Sequence, residues 1–212
     1  MAATRLIALH VNKGKTVAQC LADRTDYSQN AAKTNDGEFI SSYECDPKTA
    51  DEEFLLSKRQ YQHITGRQQK NNIIAYQIRQ SFKPGEITPE EANQVGYETA
   101  MRWTKGKHAF IVATHIDKSH IHNHIIFNDV NFVDYKHSHI NKKWYYNTRK
   151  ISDRLCEEYR LSVIPQNENK GKSYIEYAAA KQGTSYKAQL KADIDKAVRK
   201  SLDYSDFLLR ME

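Results

Sequence analysis

Histidines are concentrated in the segment Thr114–Asn128, THIDKSHIHNHIIFN, and imidazole is the commonest metal ligand among protein side chains. Alternate side chains of a β-strand share a face, so His122 and His124 are predicted to point the same way. Side chains two residues apart stand about 7 Å from each other, which lets both rings reach one cation. His115 lies across a short turn and is placed to supply a third ligand from the neighbouring strand. The spacing therefore predicts a metal centre on one β-hairpin.

Three neutral imidazoles leave coordination positions open, as a catalytic metal requires. Asp117 is predicted to accept a hydrogen bond from a ligand N–H and so to fix its tautomer. A single strand histidine is usually a surface or structural residue, but four histidines among residues 115–124, with an apolar opposite face, favour a metal site. The fourth, His120, keeps an alternative open: a structural metal with four protein ligands in a non-enzymatic DNA-binding module.

Other enzyme classes lack their signatures in this chain. It contains no HExxH or HxHxDH pattern, no GxSxG elbow and no phosphate-binding Walker loop. Cys20, Cys45 and Cys156 are odd in number and without CxxC spacing, so they predict neither a disulfide framework nor a cysteine zinc site. No apolar run approaches the roughly 20 residues that a spanning helix needs, and the first residues lack a signal-peptide core. We therefore expect a cytoplasmic protein without membrane insertion.

The charge distribution favours a polyanionic partner. Lys and Arg number 32 against 26 acidic residues, which gives a net charge of +6 and a pI near 9.0. The segment Lys136–Lys150 contains no acid and interleaves basic with aromatic residues. In complexes with single strands, cations contact phosphates while rings stack on bases. The residues predicted to bind DNA are Lys142, Lys143, Trp144, Tyr145, Tyr146, Arg149 and Lys150.

Strands and helices are predicted to alternate along the chain, which indicates an α+β fold with a mainly antiparallel sheet of five strands and helices packed on it. Capping boxes, Thr49 with Glu52 and Thr88 with Glu91, predict two helix starts. Residues 24–37 are polar and rich in turn formers, so they are predicted to form a loop that holds Tyr27. The predicted strands are residues 6–11, 39–45, 72–82, 108–115 and 121–130, and the predicted helices include 15–23, 49–65 and 148–159.

The chain changes character after Pro165. A polar stretch, residues 166–173, precedes segments rich in Ala, Lys and Asp that are predicted to be helical through residue 212. We expect one domain over residues 1–165 and a helical C-terminal extension over residues 166–212. The abrupt amphipathic end, DYSDFLLRME, suggests a chain cut from a longer protein.

These motifs resemble those of a known family, the HUH endonucleases, and specifically the conjugative relaxases of the MobA/VirD2 type (MOBP). The family pattern HxDxxxxHxH with a downstream Asn falls in register on His115, Asp117, His122, His124 and Asn128. His120 stands where the family more often has Asn. The resemblance implies the three histidines as ligands, a catalytic role for Asp117, and a supporting or substrate-contacting role for His120 and Asn128.

Two further motifs carry the resemblance, which covers roughly residues 1–165. The sequence DYSQNAAKT places Tyr27 on the family's catalytic tyrosine, with Arg24 and Lys33 beside it as predicted DNA contacts. The sequence QSFKPGE places Ser81 on the family's serine at a strand end, before a proline and glycine turn. Tyr27 and Ser81 are therefore expected to act together with the metal centre.

The resemblance implies an HUH-type sheet and a metal-dependent nuclease that nicks a transfer origin, forms a 5′-phosphotyrosine link and later rejoins the strand. The implied cofactor is Mg²⁺ or Mn²⁺, with Zn²⁺ as an alternative. The implied partners are single-stranded or hairpin DNA at the origin, an accessory DNA-binding protein, and a coupling or secretion apparatus. A rolling-circle replication initiator uses the same chemistry, but its tyrosine typically follows the histidines, whereas Tyr27 precedes them.

Overall fold

The computed structural model describes residues 2–67, 72–138, 140–164 and 174–211. The chain folds as two units, Met1–Ile164 and Pro165–Glu212. The predicted boundary near Pro165 and the polar stretch 166–173 fall outside the described residues. No helix in the described part of the chain is both long and apolar enough to span a membrane.

A five-stranded sheet forms the centre of the first unit. Its strands are β1 (Ala3–His10), β2 (Ile40–Tyr43), β3 (Ile73–Ser81), β4 (Phe110–His115) and β5 (His122–Phe127). Their order across the sheet is β1-β3-β5-β4-β2, and each pairing between neighbours is antiparallel. The predicted five-stranded antiparallel sheet is confirmed. The order places the β4–β5 hairpin in the interior of the sheet, where β3 pairs with β5 on one side and β2 pairs with β4 on the other.

Helices pack on both faces of this sheet. On the face that carries the histidines, Leu21 and Phe54 pack against Ile111 and Ile126. On the opposite face, Trp103 packs in a second cluster with the aromatic and aliphatic side chains of β4 and β5. The helices of the first unit are α1 (Val17–Ser28), α2 (Ala50–Thr65), α3 (Pro89–Thr104) and α4 (Lys142–Glu158).

The two predicted capping boxes have different outcomes. At α3, the Thr88 hydroxyl accepts the Glu91 N–H and the Glu91 carboxylate accepts the Thr88 N–H, so this box is confirmed. At α2, the box of Thr49 with Glu52 is wrong, because the Thr49 side chain makes no cap hydrogen bond. Its hydroxyl instead donates to the Glu53 carboxylate at 2.8 Å. The helix still begins at Ala50, as Phe54 on its first turns is fully buried.

Helix α1 continues beyond the predicted end at residue 23, so Tyr27 lies in its last turn and not in a loop. The polar residues that suggested a loop satisfy their own hydrogen bonds inside the helix. The Thr25 hydroxyl donates to the Leu21 carbonyl, and the Ser28 hydroxyl donates to the Thr25 carbonyl. Both side chains are buried against the sheet, so tertiary packing outweighs their low helix propensity.

Helix α4 also begins earlier than predicted, at Lys142 instead of residue 148. The Asn141 side chain caps it by accepting the Lys143 N–H. Trp144 is half-buried against Trp103, with ring centres 5.2 Å apart. Through this contact α4 joins the cluster on the face of the sheet opposite the histidines.

The second unit contains helices only among its described residues. They are α5 (Tyr174–Lys181), α6 (Tyr186–Lys200) and α7 (Tyr204–Met211). The Ser185 hydroxyl caps α6 by accepting the Ala188 N–H. The predicted helical C-terminal segments are confirmed.

Candidate metal centre

The three predicted ligands lie together. His115 at the end of β4 pairs with His122 at the start of β5, and His124 follows on the same face. One nitrogen from each ring lies within 4.8 Å of the others, and the three side chains are buried. The centres of the His115 and His124 rings are 4.3 Å apart. Because the hairpin is central in the sheet, backbone pairing brings the three side chains to one place.

His115 is held in one tautomer by helix α1. Its Nε2 lies 2.7 Å from the backbone carbonyl oxygen of Ser28. A carbonyl only accepts hydrogen bonds, so Nε2 carries the proton and Nδ1 keeps its lone pair for a cation. Ser28 directly follows Tyr27, so the same bond ties this ligand to the helix end that carries the tyrosine.

In each of the other two rings, one nitrogen forms a hydrogen bond with a residue outside the three-histidine cluster. His122 donates from Nδ1 to the His120 carbonyl at 3.4 Å, and His124 Nδ1 lies 2.6 Å from the Gln77 side-chain amide. Asp117, predicted to accept such a bond, is exposed in the β4–β5 turn and influences His115 through its charge. The carboxylate that was expected to hydrogen-bond a ligand ring is therefore replaced by two backbone carbonyls and a side-chain amide. A catalytic role of Asp117 stays a prediction.

Burial keeps these imidazoles neutral. Desolvation lowers the pKa of His124 to about 3, with repulsion from His115 and His122 as further causes. Burial also lowers the pKa values of His115 and His122. A neutral imidazole is the form that binds a metal, so near neutral pH all three rings are ready to act as ligands.

The donor chemistry fits a divalent transition metal. Three imidazole nitrogens suit ions such as Zn²⁺ and accept Mn²⁺, whereas Mg²⁺ prefers oxygen ligands. Three protein ligands leave positions for substrate, in contrast to the closed four-ligand shell of a structural zinc site. Among the described residues, this is the cluster of metal-ligating side chains that the geometry brings together.

Tyr27 lies at the edge of this centre. Its ring centre is 5.8 Å from that of His124 and 6.1 Å from that of His115. The side chain is 54% exposed, so its hydroxyl group is accessible to a large substrate. The Lys33 ammonium group stands 4.0 Å from the centre of the ring and adds positive charge there.

Two cavities adjoin the tyrosine along strands β1 and β3. A cavity of about 310 Å³ holds Ser81 and His120 together with His122, and one of about 500 Å³ holds Arg24. Tyr27, Arg79 and His124 line both. Ser81, His120, Arg24 and Lys33 are thus brought to the site, and their roles stay predictions.

Sequence reasoning missed four polar residues at this site. Arg5, Arg79 and Lys118 line the smaller cavity, and Gln77 contacts His124. Gln77, Arg79 and Ser81 are spaced two residues apart along β3. The two-residue period of a strand could therefore have placed all three side chains on the same face. Arg5 could not be found this way, because its place depends on its long-range pairing with Arg79.

Asn128 is not brought to the metal centre, and its predicted supporting or substrate-contacting role stays a prediction. It follows β5 and stands four residues, about 13 Å of strand, beyond His124. Its side-chain oxygen accepts the Val130 N–H, and its carbonyl bonds to His108 Nδ1. These contacts give Asn128 a turn-forming role at the opposite end of the hairpin.

The basic and aromatic residues of α4 lie on the other face of the sheet from the histidines. Arg149 donates to the Ile164 carbonyl and lies 3.4 Å from the Asp153 carboxylate, and Trp144 packs on Trp103. These two side chains are engaged in the fold, which weakens their prediction as DNA contacts. The exposed members of the set are Lys142, Lys143, Tyr145, Tyr146 and Lys150.

Comparisons with known sequences agree with this geometry. Residues 26–161 match the family described as relaxase, MobA/VirD2-like, nuclease domain. The group II intron-interrupted relaxase LtrB of Lactococcus lactis subsp. cremoris (strain MG1363) is 33% identical over 154 residues, covering 66% of this chain and 27% of LtrB. Protein rlx of Staphylococcus aureus is 31% identical over 158 residues, covering 74% of this chain and 46% of rlx. The chain thus spans about a quarter to a half of the length of these relatives.

A similar fold occurs among solved structures. The Mn-bound MobM relaxase domain, in complex with 22 nucleotides of plasmid pMV158 oriT DNA, superimposes with a TM-score of 0.56. The match covers 84% of this chain and 98% of the MobM domain at 12% sequence identity. At that identity the likeness supports the fold: an antiparallel sheet flanked by helices.

Proposed function

Because this chain belongs to the MobA/VirD2-like relaxase nuclease family, we propose that it cuts one strand of DNA at a transfer origin by joining Tyr27 to the cut end. The proposed reaction is a metal-dependent transesterification, and its reversal rejoins the strand. The observation that carries this proposal is the exposed phenol of Tyr27 beside three buried, neutral imidazoles.

The chemistry is an exchange of one phosphodiester for another. The Tyr27 oxygen attacks phosphorus and loses its proton to solvent, the bond from phosphorus to the 3′ oxygen breaks, and that oxygen gains a proton. A divalent cation held by His115, His122 and His124 would supply positive charge beside the non-bridging phosphate oxygens as negative charge builds up. One ester replaces another, so the step is close to energetic balance and is reversible without ATP.

The residues around Tyr27 are suited to hold a single strand on both sides of the cut. Arg5 and Arg79 are neighbours in the sheet, and Arg79 is in turn paired with His124. Because both cavities contain Arg79 and Tyr27, we place the scissile phosphate between them and the flanking nucleotides in the two cavities. Arg24 and Lys118 then contact phosphates on opposite sides of the cut.

The DNA partner and its setting are also proposals. MobM is bound to oriT DNA in the structure that shares this fold, which supports single-stranded or hairpin origin DNA as the substrate here. We further propose that the enzyme acts in the cytoplasm, with an accessory DNA-binding protein and a coupling or secretion apparatus. The exposed basic residues of α4 would contact DNA away from the cut, since they lie on the other face of the sheet.

An end-labelled oligonucleotide assay tests this proposal. Single strands that tile the candidate origin are incubated with protein and Mn²⁺, and denaturing gels are then examined for labelled protein. A 5′-phosphotyrosine link keeps the downstream fragment, so a label at the 3′ end moves to the protein band and a 5′ label does not. Peptide mapping of the adduct is expected to find the nucleotide on the peptide that contains Tyr27.

Substitution provides the control. Tyr27→Phe is expected to remove the adduct while DNA binding is retained, and Tyr186→Phe, at a tyrosine 74% exposed in the second unit, is expected to leave the adduct unchanged. An undiminished adduct in Tyr27→Phe contradicts the assigned nucleophile. DNA binding without any adduct, at any metal concentration, favours the non-enzymatic module. An adduct formed only with a replication origin favours the initiator.

A further inference from the structure

The side chain of Gln77 contacts the metal centre from outside it. Gln77 stands on β3 beside Ile126 of β5, one diagonal step from His124 on the same face of the sheet. The amide nitrogen Nε2 of Gln77 lies 2.6 Å from His124 Nδ1. His124 is 5% exposed and Gln77 is half-buried, so the contact is largely shielded from water.

This contact decides which nitrogen of His124 is available for a cation. Nδ1 is taken by the amide, so Nε2 is the nitrogen left for the metal. In the orientation that the structure shows, the amide NH₂ donates to Nδ1, so Nε2 carries the proton and has no lone pair to offer. If the amide oxygen accepts from Nδ1–H, then Nε2 is free. A half-turn of the amide exchanges its oxygen and nitrogen without moving the rest of the side chain.

We propose that Gln77 is a positioning residue of the metal centre: when a divalent cation is bound, its amide is rotated by a half-turn from the orientation shown, so that the amide oxygen accepts the Nδ1–H of His124 and Nε2 stays unprotonated for the cation. With the amide rotated, His124 would be held as His115 is, where the Ser28 carbonyl oxygen accepts a hydrogen bond from the nitrogen that faces away from the centre. Both acceptors would then be neutral oxygens, which orient the rings without adding a carboxylate charge. This proposal rests on the proposed function, because it assumes that the centre binds a metal.

A contact between Gln77 and DNA is the competing explanation, since Gln77 also lines the 500 Å³ cavity. Metal binding measured without DNA separates the two roles. A side chain that contacts only nucleotides leaves metal affinity unchanged when it is replaced. A side chain that fixes the His124 tautomer changes metal affinity whether or not DNA is present.

Calorimetric titration of the metal-free protein with MnCl₂ is the first test. Gln77→Leu, which has a similar volume and no polar group, is expected to weaken Mn²⁺ binding by about 10- to 100-fold. Gln77→Glu is expected to retain wild-type affinity or exceed it, because a carboxylate also accepts the Nδ1–H. Gln60→Leu, at an exposed position on α2, is the matched control and is expected to bind as the wild type does.

Each outcome has a defined meaning. Unchanged affinity in Gln77→Leu, or loss of affinity in Gln77→Glu, overturns the proposal. Absence of Mn²⁺ binding in the wild type, by contrast, contradicts the proposed function itself. Long-range ¹H–¹⁵N NMR of the wild type loaded with Zn²⁺ gives an independent readout that needs no variant. A proton on His124 Nδ1 is the expected result, and a proton on Nε2 overturns the proposal.

Discussion

The packing of helix α3 on the histidine hairpin can be tested by adding one methyl group at Gly96. A Cβ atom at this position would lie 2.6 Å from the Asn123 side-chain nitrogen and 2.8 Å from Val112 Cγ1. Asn123 stands between His122 and His124 on β5 and is fully buried. Its amide donates to the Ala92 carbonyl, which ties the hairpin to α3. Gly96→Ala therefore forces apart the two elements that fix the metal ligands.

Two opposing effects decide the sign of this change. Alanine is favoured over glycine inside a helix by about 1 kcal/mol. Overpacking a full core costs about 1–3 kcal/mol, and disturbing a buried hydrogen bond costs about 1–3 kcal/mol more. The clash therefore exceeds the gain in helix propensity, and we expect the free energy of unfolding to fall by about 1–5 kcal/mol. The midpoint of thermal unfolding falls by about 2–4 °C for each kcal/mol.

Urea and thermal unfolding of the metal-free protein measure this effect. A double-mutant cycle with Asn123→Ala provides the control, because removing the nearest atom should make Gly96→Ala less costly in that background. A Gly96→Ala protein as stable as the wild type, or more stable, refutes the packing argument. Purely additive costs in the cycle would show that Asn123 is not the group that resists the methyl.

The remaining predictions concern His108 and Arg79. Burial lowers the pKa of His108 below its usual 6.5. Below pH 6.5 the imidazole of the unfolded chain binds a proton that the native protein excludes. The free energy of unfolding therefore falls as the pH falls. His108→Gln is expected to reduce this acid slope by up to about 1.4 kcal/mol per pH unit in urea unfolding, and an unchanged slope would contradict it. Arg79→Gln should reduce the salt dependence of single-strand binding. The slope of the logarithm of the association constant against the logarithm of the salt concentration, measured by fluorescence anisotropy, is expected to be shallower by about 0.7. Arg59→Gln on α2 should leave that slope as it is, and equal slopes in both variants would remove Arg79 from the phosphate contacts.

The sequence was most informative where local periodicity determines position. The alternation of His122 with His124 placed both rings on one face of β5, and a short turn fixed the approach of His115. The capping box at Thr88 likewise depends on residues three apart, and it predicted the start of α3 correctly. In these cases the interactions that form the structure lie within a few residues of each other.

Predictions failed where distant packing outweighs local preference. The end of α1 is helical because Thr25 and Ser28 are buried on the sheet, which their polar character does not reveal. Trp144 packs on Trp103, a residue about forty positions away in sequence, and is therefore removed from the exposed stacking surface it was expected to join. Arg5 reaches the site only because β1 pairs with β3. Such contacts follow from strand order and helix placement, which one sequence does not determine.

The central claim is that three imidazoles hold one cation beside Tyr27. Anomalous diffraction at the manganese edge, from crystals soaked in MnCl₂, measures this most directly. The predicted result is a single strong peak about 2 Å from one nitrogen each of His115, His122 and His124, with the Tyr27 ring at its edge. A peak at another place, or rings that turn away from a shared centre, would contradict the account.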